Sequence, residues 1–335
     1  MIKRLFKTCV ALLAIAAAAT GPARAQSNYT VKLAEGTEDA GHWTISPDMA
    51  ATTGVVEGTE VTVTYTGTRK VKSVEATVEY PVTTATPLTF EALSDGTIVV
   101  NIGSGSSPMF NGMKYSVNGG EKTLITTTTN INVAAGDKVQ FYGNGTSTTA
   151  YGNSPEVKFV GTAQTKVYGN VMSLVDEDGF ATATTLSTIY TFYSLFGGNT
   201  TLTDASQLLL PATTLASSCY RSMFDGCTGL TTPPELPATT LINHCYTSMF
   251  SGCSSLTTAP ELPATMLVYN CYTSMFSGCS NLSSVTCLAT DISAYECTDN
   301  WLDGVSATGT FTAASTTNWP EGNNGIPSGW TRVNQ

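Results

Sequence analysis

Eight cysteines in the C-terminal half of the chain are the side chains whose type and spacing first suggest chemistry. They are Cys219, Cys227, Cys245, Cys253, Cys271, Cys279, Cys287 and Cys297. An even count is typical of a disulfide framework in an exported protein, whereas free thiols pack as small apolar groups. Stacked helices would hold equivalent cysteines about 8–10 Å apart, beyond the Cα spacing of about 4.4–6.8 Å in a disulfide. The spacing therefore favours a ladder of buried thiols, and disulfide bonding stays the alternative.

Other residues that could support catalysis or metal binding are sparse. Only two histidines occur, His42 and His244, which makes a histidine metal centre or a shared catalytic base hard to assemble. Asp176, Asp178 and Gly179 resemble the start of a calcium loop, but the glycine falls at position 4 instead of 6 and no glutamate stands at position 12. A solvated turn is the favoured interpretation. We expect no enzyme activity, no cofactor and no bound metal.

A repeat of 26 residues dominates the same half of the chain. Its pattern recurs with degenerate copies on both sides, most clearly in segments 215–227, 241–253 and 267–279. A fixed period of this length is typical of a solenoid, in which each unit buries its apolar face against its neighbours. Leu215, Cys219 and Met223 stand four residues apart, which indicates one face of a helix.

Each repeat is predicted to contain one helix and one short extended segment. Threonines precede the helices and can cap their free N–H groups, namely Thr213, Thr239 and Thr265. Glycines follow the helices where a left-handed turn is expected, namely Gly226, Gly252, Gly278 and Gly304. The proline-containing connector allows only a short strand. These features predict an α/β, leucine-rich-repeat-like solenoid.

The rest of the chain is predicted to be β-structure behind an export signal. Residues 1–25 have basic residues, an apolar run and a small-x-small cleavage site, as in a secretory signal peptide. Alternating apolar residues predict a small β module over 26–82 and a β-sandwich over 83–167. The solenoid with its caps is assigned to 168–335, with clear repeats over about 211–305. Tryptophans are expected to cover its C-terminal end, namely Trp301, Trp319 and Trp330.

Charge and hydropathy exclude two classes of partner. Removal of the signal leaves 11 Lys and Arg against 25 Asp and Glu, a formal charge of about −14. Phosphate backbones require a basic stripe, so we expect no nucleic-acid partner. No second apolar run reaches the ~18 residues of a membrane span. We expect an exported protein, at the cell surface or secreted, with a periplasmic location left open.

The repeats closely resemble those of the BspA-like leucine-rich-repeat surface proteins of bacteria. The resemblance covers about 185–305 and rests on the motifs Leu-Pro-Ala-Thr-Thr-Leu, Cys-Tyr-x-Ser-Met-Phe, x-Gly-Cys-x-x-Leu and Pro-Glu-Leu-Pro-Ala-Thr. The closing segment 318–330 is similar to the terminal segment of such chains. The resemblance implies surface exposure and adhesion, or binding of a host or bacterial surface protein.

Positions that differ between otherwise identical repeats are the candidate ligand contacts. Stacking does not dictate these side chains, so they are expected outside the core, namely Arg221, Asn243, His244, Tyr269 and Asn270. Drift on an exposed surface is the competing interpretation. Two other functions stay open: glycan binding by exposed aromatic residues of the β modules, such as Trp43 or Tyr65, and a structural surface-layer role without a discrete ligand.

Overall fold

The structure is a computed structural model that describes residues 82–102, 112–143 and 157–335 and, ahead of them, the backbone of five strands. The chain divides into two compact units, 1–82 and 83–335. The finer division of the chain into modules stays a prediction.

The first unit contains two small antiparallel sheets. Its strands are β1 (Cys9–Ala14), β2 (Thr30–Lys32), β3 (Trp43–Ser46), β4 (Glu60–Tyr65) and β5 (Thr77–Glu79). One sheet has the order β1-β4-β3, and β2 pairs with β5. Strand β1 lies inside the segment that the sequence assigns to a signal peptide, and Cys9 is in register with Tyr65. Cleavage of that segment stays a prediction.

The second unit begins with two packed sheets. Its strands are β6 (Leu88–Ala92), β7 (Gly96–Ile102), β8 (Lys114–Val117), β9 (Thr123–Leu124), β10 (Thr129–Val133), β11 (Lys138–Tyr142), β12 (Val157–Gly161), β13 (Thr165–Asn170) and β14 (Leu202–Leu209). The sheet orders are β10-β7-β12 and β14-β13-β6-β11-β8-β9. Two short 3-10 helices, Val171–Leu174 and Phe180–Thr182, follow β13.

Buried phenylalanines hold these sheets together and connect them to the repeats. The ring of Phe159 on β12 lies 4.6 Å from Phe141 and 5.2 Å from Phe90 on the facing sheet. Phe196 of the first repeat contacts Phe90 and Phe159 at 5.8 and 6.0 Å. Strand β14, from the same repeat, pairs in parallel with β13. The apolar core therefore runs without a break from the sheets into the repeats.

The predicted helices of the repeats are absent, and the α/β fold assigned to this region is wrong. Apart from the two 3-10 helices, the described residues form strands, turns and loops. The β-rich character expected of the N-terminal half therefore extends through the whole described chain. Thr213, Thr239 and Thr265 accordingly cap no helix.

Backbone hydrogen bonds show what replaces the helices. In the third repeat the N–H groups of Ser248 and Phe250 donate to Thr273 and Met275 of the next repeat, both at 2.9 Å. The alternate N–H groups of Met249 and Ser251 donate instead to carbonyls three residues back, at 3.1 and 3.2 Å. Each segment is thus a chain of tight turns that is bonded to its neighbour like a parallel strand. We call these segments the turn ladder: 188–198, 216–227, 242–253, 268–279 and 294–304.

A left-handed residue at every fourth position explains why no helix forms. Ser222, Ser248 and Ser274 all have φ between 53° and 55°. The glycines four residues later have φ between 70° and 76°, which confirms the left-handed turns predicted at Gly226, Gly252 and Gly278. A third left-handed residue stands four positions before each serine, for example His244 at φ 60°. An α-helix requires negative φ throughout, so three left-handed residues per segment redirect the N–H groups toward the neighbouring repeat.

Ser248→Gly is expected to raise the free energy of unfolding by up to about 1 kcal/mol. Glycine removes the ~1–2 kcal/mol cost of a left-handed residue, against about 0.5–1 kcal/mol of extra chain entropy in the unfolded state. Ser248→Val should lower the free energy of unfolding by about 2 kcal/mol, since a β-branched residue is strained at φ 55°. Urea unfolding measures both. A helix interior would instead lose stability with glycine, so destabilisation by Ser248→Gly would contradict the turn ladder.

Stacked side chains fill the interior of the turn ladder. One column of rings joins Phe196, Phe224, Phe250 and Phe276 at successive distances of 5.0, 5.3 and 5.6 Å. A second joins Tyr220, Tyr246 and Tyr272 at 5.7 and 6.2 Å. The matching cysteine and methionine side chains of the clear repeats are fully buried, and Leu241 and Leu267 are buried beside them, whereas Leu215 is half-buried. This confirms the dry columns that stacked repeats predict, although turns rather than helices carry them.

The C-terminal end of the stack is closed by tryptophans and a parallel sheet. The sheet has the order β15-β16-β17, with β15 (Ser284–Cys287), β16 (Gly309–Ala313) and β17 (Trp330–Asn334). Trp301 is fully buried between the rings of Tyr272 at 6.2 Å and Trp319 at 5.2 Å. Its indole N–H donates to Gly325 at 2.9 Å. The tryptophans therefore cover the end of the core, as the sequence predicts.

Candidate functional site

The candidate contact residues lie where each repeat enters the turn ladder. Equivalent positions of successive repeats form a surface row that we call the edge column: Ile189, Ser217, Asn243, Tyr269 and Tyr295. Backbone bonds hold neighbouring copies side by side, since the N–H of His244 donates to Tyr269 at 3.2 Å. The edge column therefore displays side chains that the core does not constrain.

Three aromatic rings meet on this surface. The His244 ring contacts Tyr269 edge-on at 5.0 Å, and Tyr269 stacks on Tyr295 at 6.0 Å with an angle of 10°. Tyr269 is 40% exposed and Tyr295 71% exposed, which leaves ring surface for a partner. Tyr295 is absent from the candidates that comparison of the clear repeats identifies, because it belongs to the degenerate last copy of the repeat. Its position, 26 residues after Tyr269, was the available signal.

Asn270 supports this surface instead of contacting a ligand. The sequence places Asn270 among the exposed ligand contacts, but its side chain is buried, with only 9% exposed. In the amide orientation that satisfies its neighbours, Asn270 Nδ2 donates to the Glu296 carboxylate at 3.2 Å, and Oδ1 accepts from the Tyr269 hydroxyl at 3.2 Å. The Thr247 hydroxyl donates to the Asn270 carbonyl at 2.6 Å. Asn270 therefore fixes the position of Tyr269.

Arg221 and His244 set the charge of this surface. Partial burial, and then the positive charge of Arg221, lower the pKa of His244 below its usual 6.5. The imidazole is therefore neutral at pH 7, and the guanidinium is the fixed positive charge beside it. A hydrogen bond with Glu296 raises the pKa of Tyr295, which keeps that hydroxyl protonated as well. The surface thus combines the Arg221 cation, the Glu296 carboxylate and neutral aromatic rings.

The described residues contain no candidate metal site and no candidate membrane-spanning helix. In the parts of the chain that the structure describes, no three histidine, cysteine or acidic side chains converge as metal ligands. Asp176 Oδ1 accepts from the N–H groups of Asp178 and Gly179 at 3.1 and 3.0 Å, forming a local turn. His42 lies outside the described residues. None of the described segments forms a helix with the length and hydropathy to span a bilayer.

A groove opens on the connector side of the repeats. It has a volume of about 730 Å³ and lies between the connectors 231–237 and 257–263, and we call it the connector groove. Within the described chain no backbone hydrogen bond joins these two connectors. Each bonds outward instead, since the N–H of Thr231 donates to Thr203 and that of Ala259 to Ser284, both at 2.9 Å. The connector groove is therefore a gap in a parallel ladder.

A proline accounts for the gap. Ala205 and Ala259 occupy equivalent positions, and each donates its N–H to the following connector at 2.9 Å. The equivalent residue between them is Pro233, which has no N–H to donate toward Thr258. The groove was not predicted from the sequence, although the proline in place of alanine at position 233 marks it there.

The alternative glycan site of the β modules lies mostly outside what the structure describes. Trp43 and Tyr65 are register partners in β3 and β4, and only their backbone is described. Glycan binding there stays a prediction, as does the resemblance of the repeats to BspA-like proteins. No protein-family model, curated protein or solved structure matches the chain.

Proposed function

We propose that this protein is an exported, non-catalytic cell-surface protein that binds other proteins through its repeat stack. The observation that carries the proposal is the exposed aromatic surface of the edge column. Three of the eight exposed large apolar side chains in the described chain belong to the edge column: Ile189, Tyr269 and Tyr295. Clusters of exposed apolar residues mark interaction sites more often than scattered ones do.

The side-chain types suit protein recognition. Tyrosine supplies a large contact area and loses few rotamers on binding, and tyrosine and arginine are enriched among the residues that dominate interface energies. Tyr269 is already held by Tyr295 and Asn270 before a partner arrives. Such preorganisation lowers the entropy lost on association. The stacked core beneath supplies the rigid support.

A binding comparison tests this function. Immobilised protein is exposed to a panel of purified extracellular-matrix and bacterial surface proteins, and saturable binding to at least one is expected. The double variant Tyr269→Ala and Tyr295→Ala should weaken that binding at least tenfold, since hot-spot truncations cost about 2 kcal/mol or more.

The matched control removes two exposed leucines elsewhere in the same unit. Leu93 and Leu124 are 46% and 51% exposed, and alanine at both should leave the affinity unchanged. Absence of saturable binding across the panel, or equal affinity of the tyrosine variant and the parent, would contradict the proposal. Binding that soluble glycans abolish would favour the glycan alternative instead.

A further inference from the structure

The connector groove lies between the connectors of two consecutive repeats, and no hydrogen bond pairs one wall with the other in the described chain. The wall 231–237 pairs only with the repeat before it, and the wall 257–263 only with the repeat after it. Thr232 bridges to Asp204, and Thr258 bridges to Ser284, but the two threonines do not bridge to each other. Extended backbone presents N–H and C=O groups on both edges. On the inner edge of the wall 257–263 this includes the N–H of Thr257, whose equivalents Thr231 and Ser283 each donate to the preceding repeat at 2.9 Å.

The charge of the groove is negative. Glu235 and Glu261 are equivalent residues of successive repeats, both are exposed, and both line the groove. The remaining lining residues are threonines, prolines, leucine and alanine, so no cationic side chain neutralises the two carboxylates from within the lining. The whole chain carries a formal charge of −10, which adds to the attraction for a cation.

We propose that the connector groove binds an extended peptide segment that carries Lys or Arg at alternate positions. The segment would add as a strand to the inner edge of the wall 257–263, because Pro233 removes the inward donor of the other wall. Successive side chains of an extended segment point to opposite sides, so alternate basic residues reach Glu235 and Glu261. The proposal rests on the proposed function, because it names a class of protein partner.

Main-chain complementarity favours a peptide over a metal ion. Two exposed glutamates form no three-ligand metal group in the described chain. Pro233 removes a donor that Ala205 and Ala259 both use, and it thereby leaves the inner edge of the neighbouring connector unpaired. Each wall is seven residues long, which matches a peptide of about that length at ~3.3 Å per residue.

Fluorescence anisotropy with a labelled peptide tests the proposal on the full chain. The probe is a seven-residue peptide in which lysine alternates with threonine, and we expect saturable binding that weakens with added salt. Two control peptides are expected to bind at least tenfold more weakly. One replaces every lysine with glutamate, and the other keeps the lysines but has methylated backbone nitrogens at alternate residues.

Protein variants locate the site. Glu235→Gln with Glu261→Gln should weaken binding about three- to tenfold, as expected for two partly exposed ion pairs. The matched control, Glu121→Gln with Glu321→Gln, makes the same change in net charge at exposed positions outside the groove and should leave the affinity unchanged. Equal weakening by both pairs, equal binding of the methylated peptide, or absence of saturable binding would overturn the proposal.

The tyrosine variant of the edge column separates this proposal from the function on which it rests. Tyr269→Ala with Tyr295→Ala should leave the affinity for the lysine peptide unchanged, because neither side chain lines the groove. If the panel protein binds through the tyrosines while the lysine peptide does not bind, the groove proposal alone is wrong. If the peptide binds at the glutamates while the tyrosine variant binds the panel protein normally, the edge column is wrong and the groove stands.

Discussion

Replacing Phe250 with alanine should lower the free energy of unfolding by about 3–5 kcal/mol. Phe250 is fully buried and stacks on Phe224 at 5.3 Å and on Phe276 at 5.6 Å. Truncation leaves a cavity in the middle of the column, where the hydrogen-bonded backbones of the adjacent repeats restrict collapse. The loss affects two interfaces at once, because each repeat is stabilised mainly by its neighbours. Urea unfolding followed by tyrosine and tryptophan fluorescence measures the change.

Ile242→Ala in the same repeat is the matched control. Ile242 is 40% exposed, so its truncation should change the free energy of unfolding by no more than about 0.5 kcal/mol. If Phe250→Ala cost no more than this control, the column would not be a close-packed core, and the stack of repeats would need another source of stability.

The eight cysteines of the repeats should resist thiol reagents in the native protein, by about a thousandfold at Cys219, Cys227, Cys279 and Cys287. All eight are free and buried. Burial raises the pKa of four of them to about 12, namely Cys219, Cys227, Cys279 and Cys287. A pKa three units higher leaves about a thousandth of the thiolate at pH 8, and the thiolate is the species that reacts. Mass mapping of alkylated peptides measures each cysteine separately.

Denaturation without reductant is the control for this prediction. All eight cysteines should then be alkylated rapidly, because unfolding removes their protection. If they reacted only after reduction, they would be disulfide-bonded, and the thiol ladder would be wrong. Rapid labelling of several of them in the native protein would contradict their burial.

Alkaline pH should destabilise the fold for the same reason. The folded state raises the thiol pKa from about 9 to about 12, so the folded state binds more protons than the unfolded state in this range. The stabilisation is complete below about pH 9 and is lost as the pH rises through about 12. A free energy of unfolding that is constant over this range would contradict the raised pKa values.

The thiol ladder agrees with the preferred interpretation of the sequence. That interpretation assumed the spacing of stacked helices, however, and the repeats stack through turns instead. Regular hydrogen bonds hold one set of these thiols in place. Cys227, Cys253 and Cys279 each donate from the sulfur to a phenylalanine carbonyl of the preceding repeat, at 3.0–3.1 Å. These bonds give the cysteine a role in stacking that does not require a disulfide.

The repeated sequence by itself determined which residues are buried and how often the pattern returns. The 26-residue period, the apolar positions and the left-handed glycines are all local properties, because they depend on residue type and spacing alone. They predicted the dry columns and the turn at Gly226 correctly. They also identified the variable positions, four of which lie at the surface, whereas Asn270 is buried by its neighbours.

Only the tertiary structure decided between helix and turn ladder. A spacing of four residues drifts by just ~40° per step around a helix of 3.6 residues per turn, so Leu215, Cys219 and Met223 fit either arrangement. The third step, to Cys227, drifts by about 120°, and this residue is still fully buried. The two folds differ in the acceptor of each backbone N–H group. In a helix the acceptor is the carbonyl four residues back, whereas here the N–H of Phe250 donates to the carbonyl of Met275, 25 residues ahead. That acceptor exists only once the next repeat is in place, and the gap at Pro233 likewise emerges only when neighbouring connectors lie side by side.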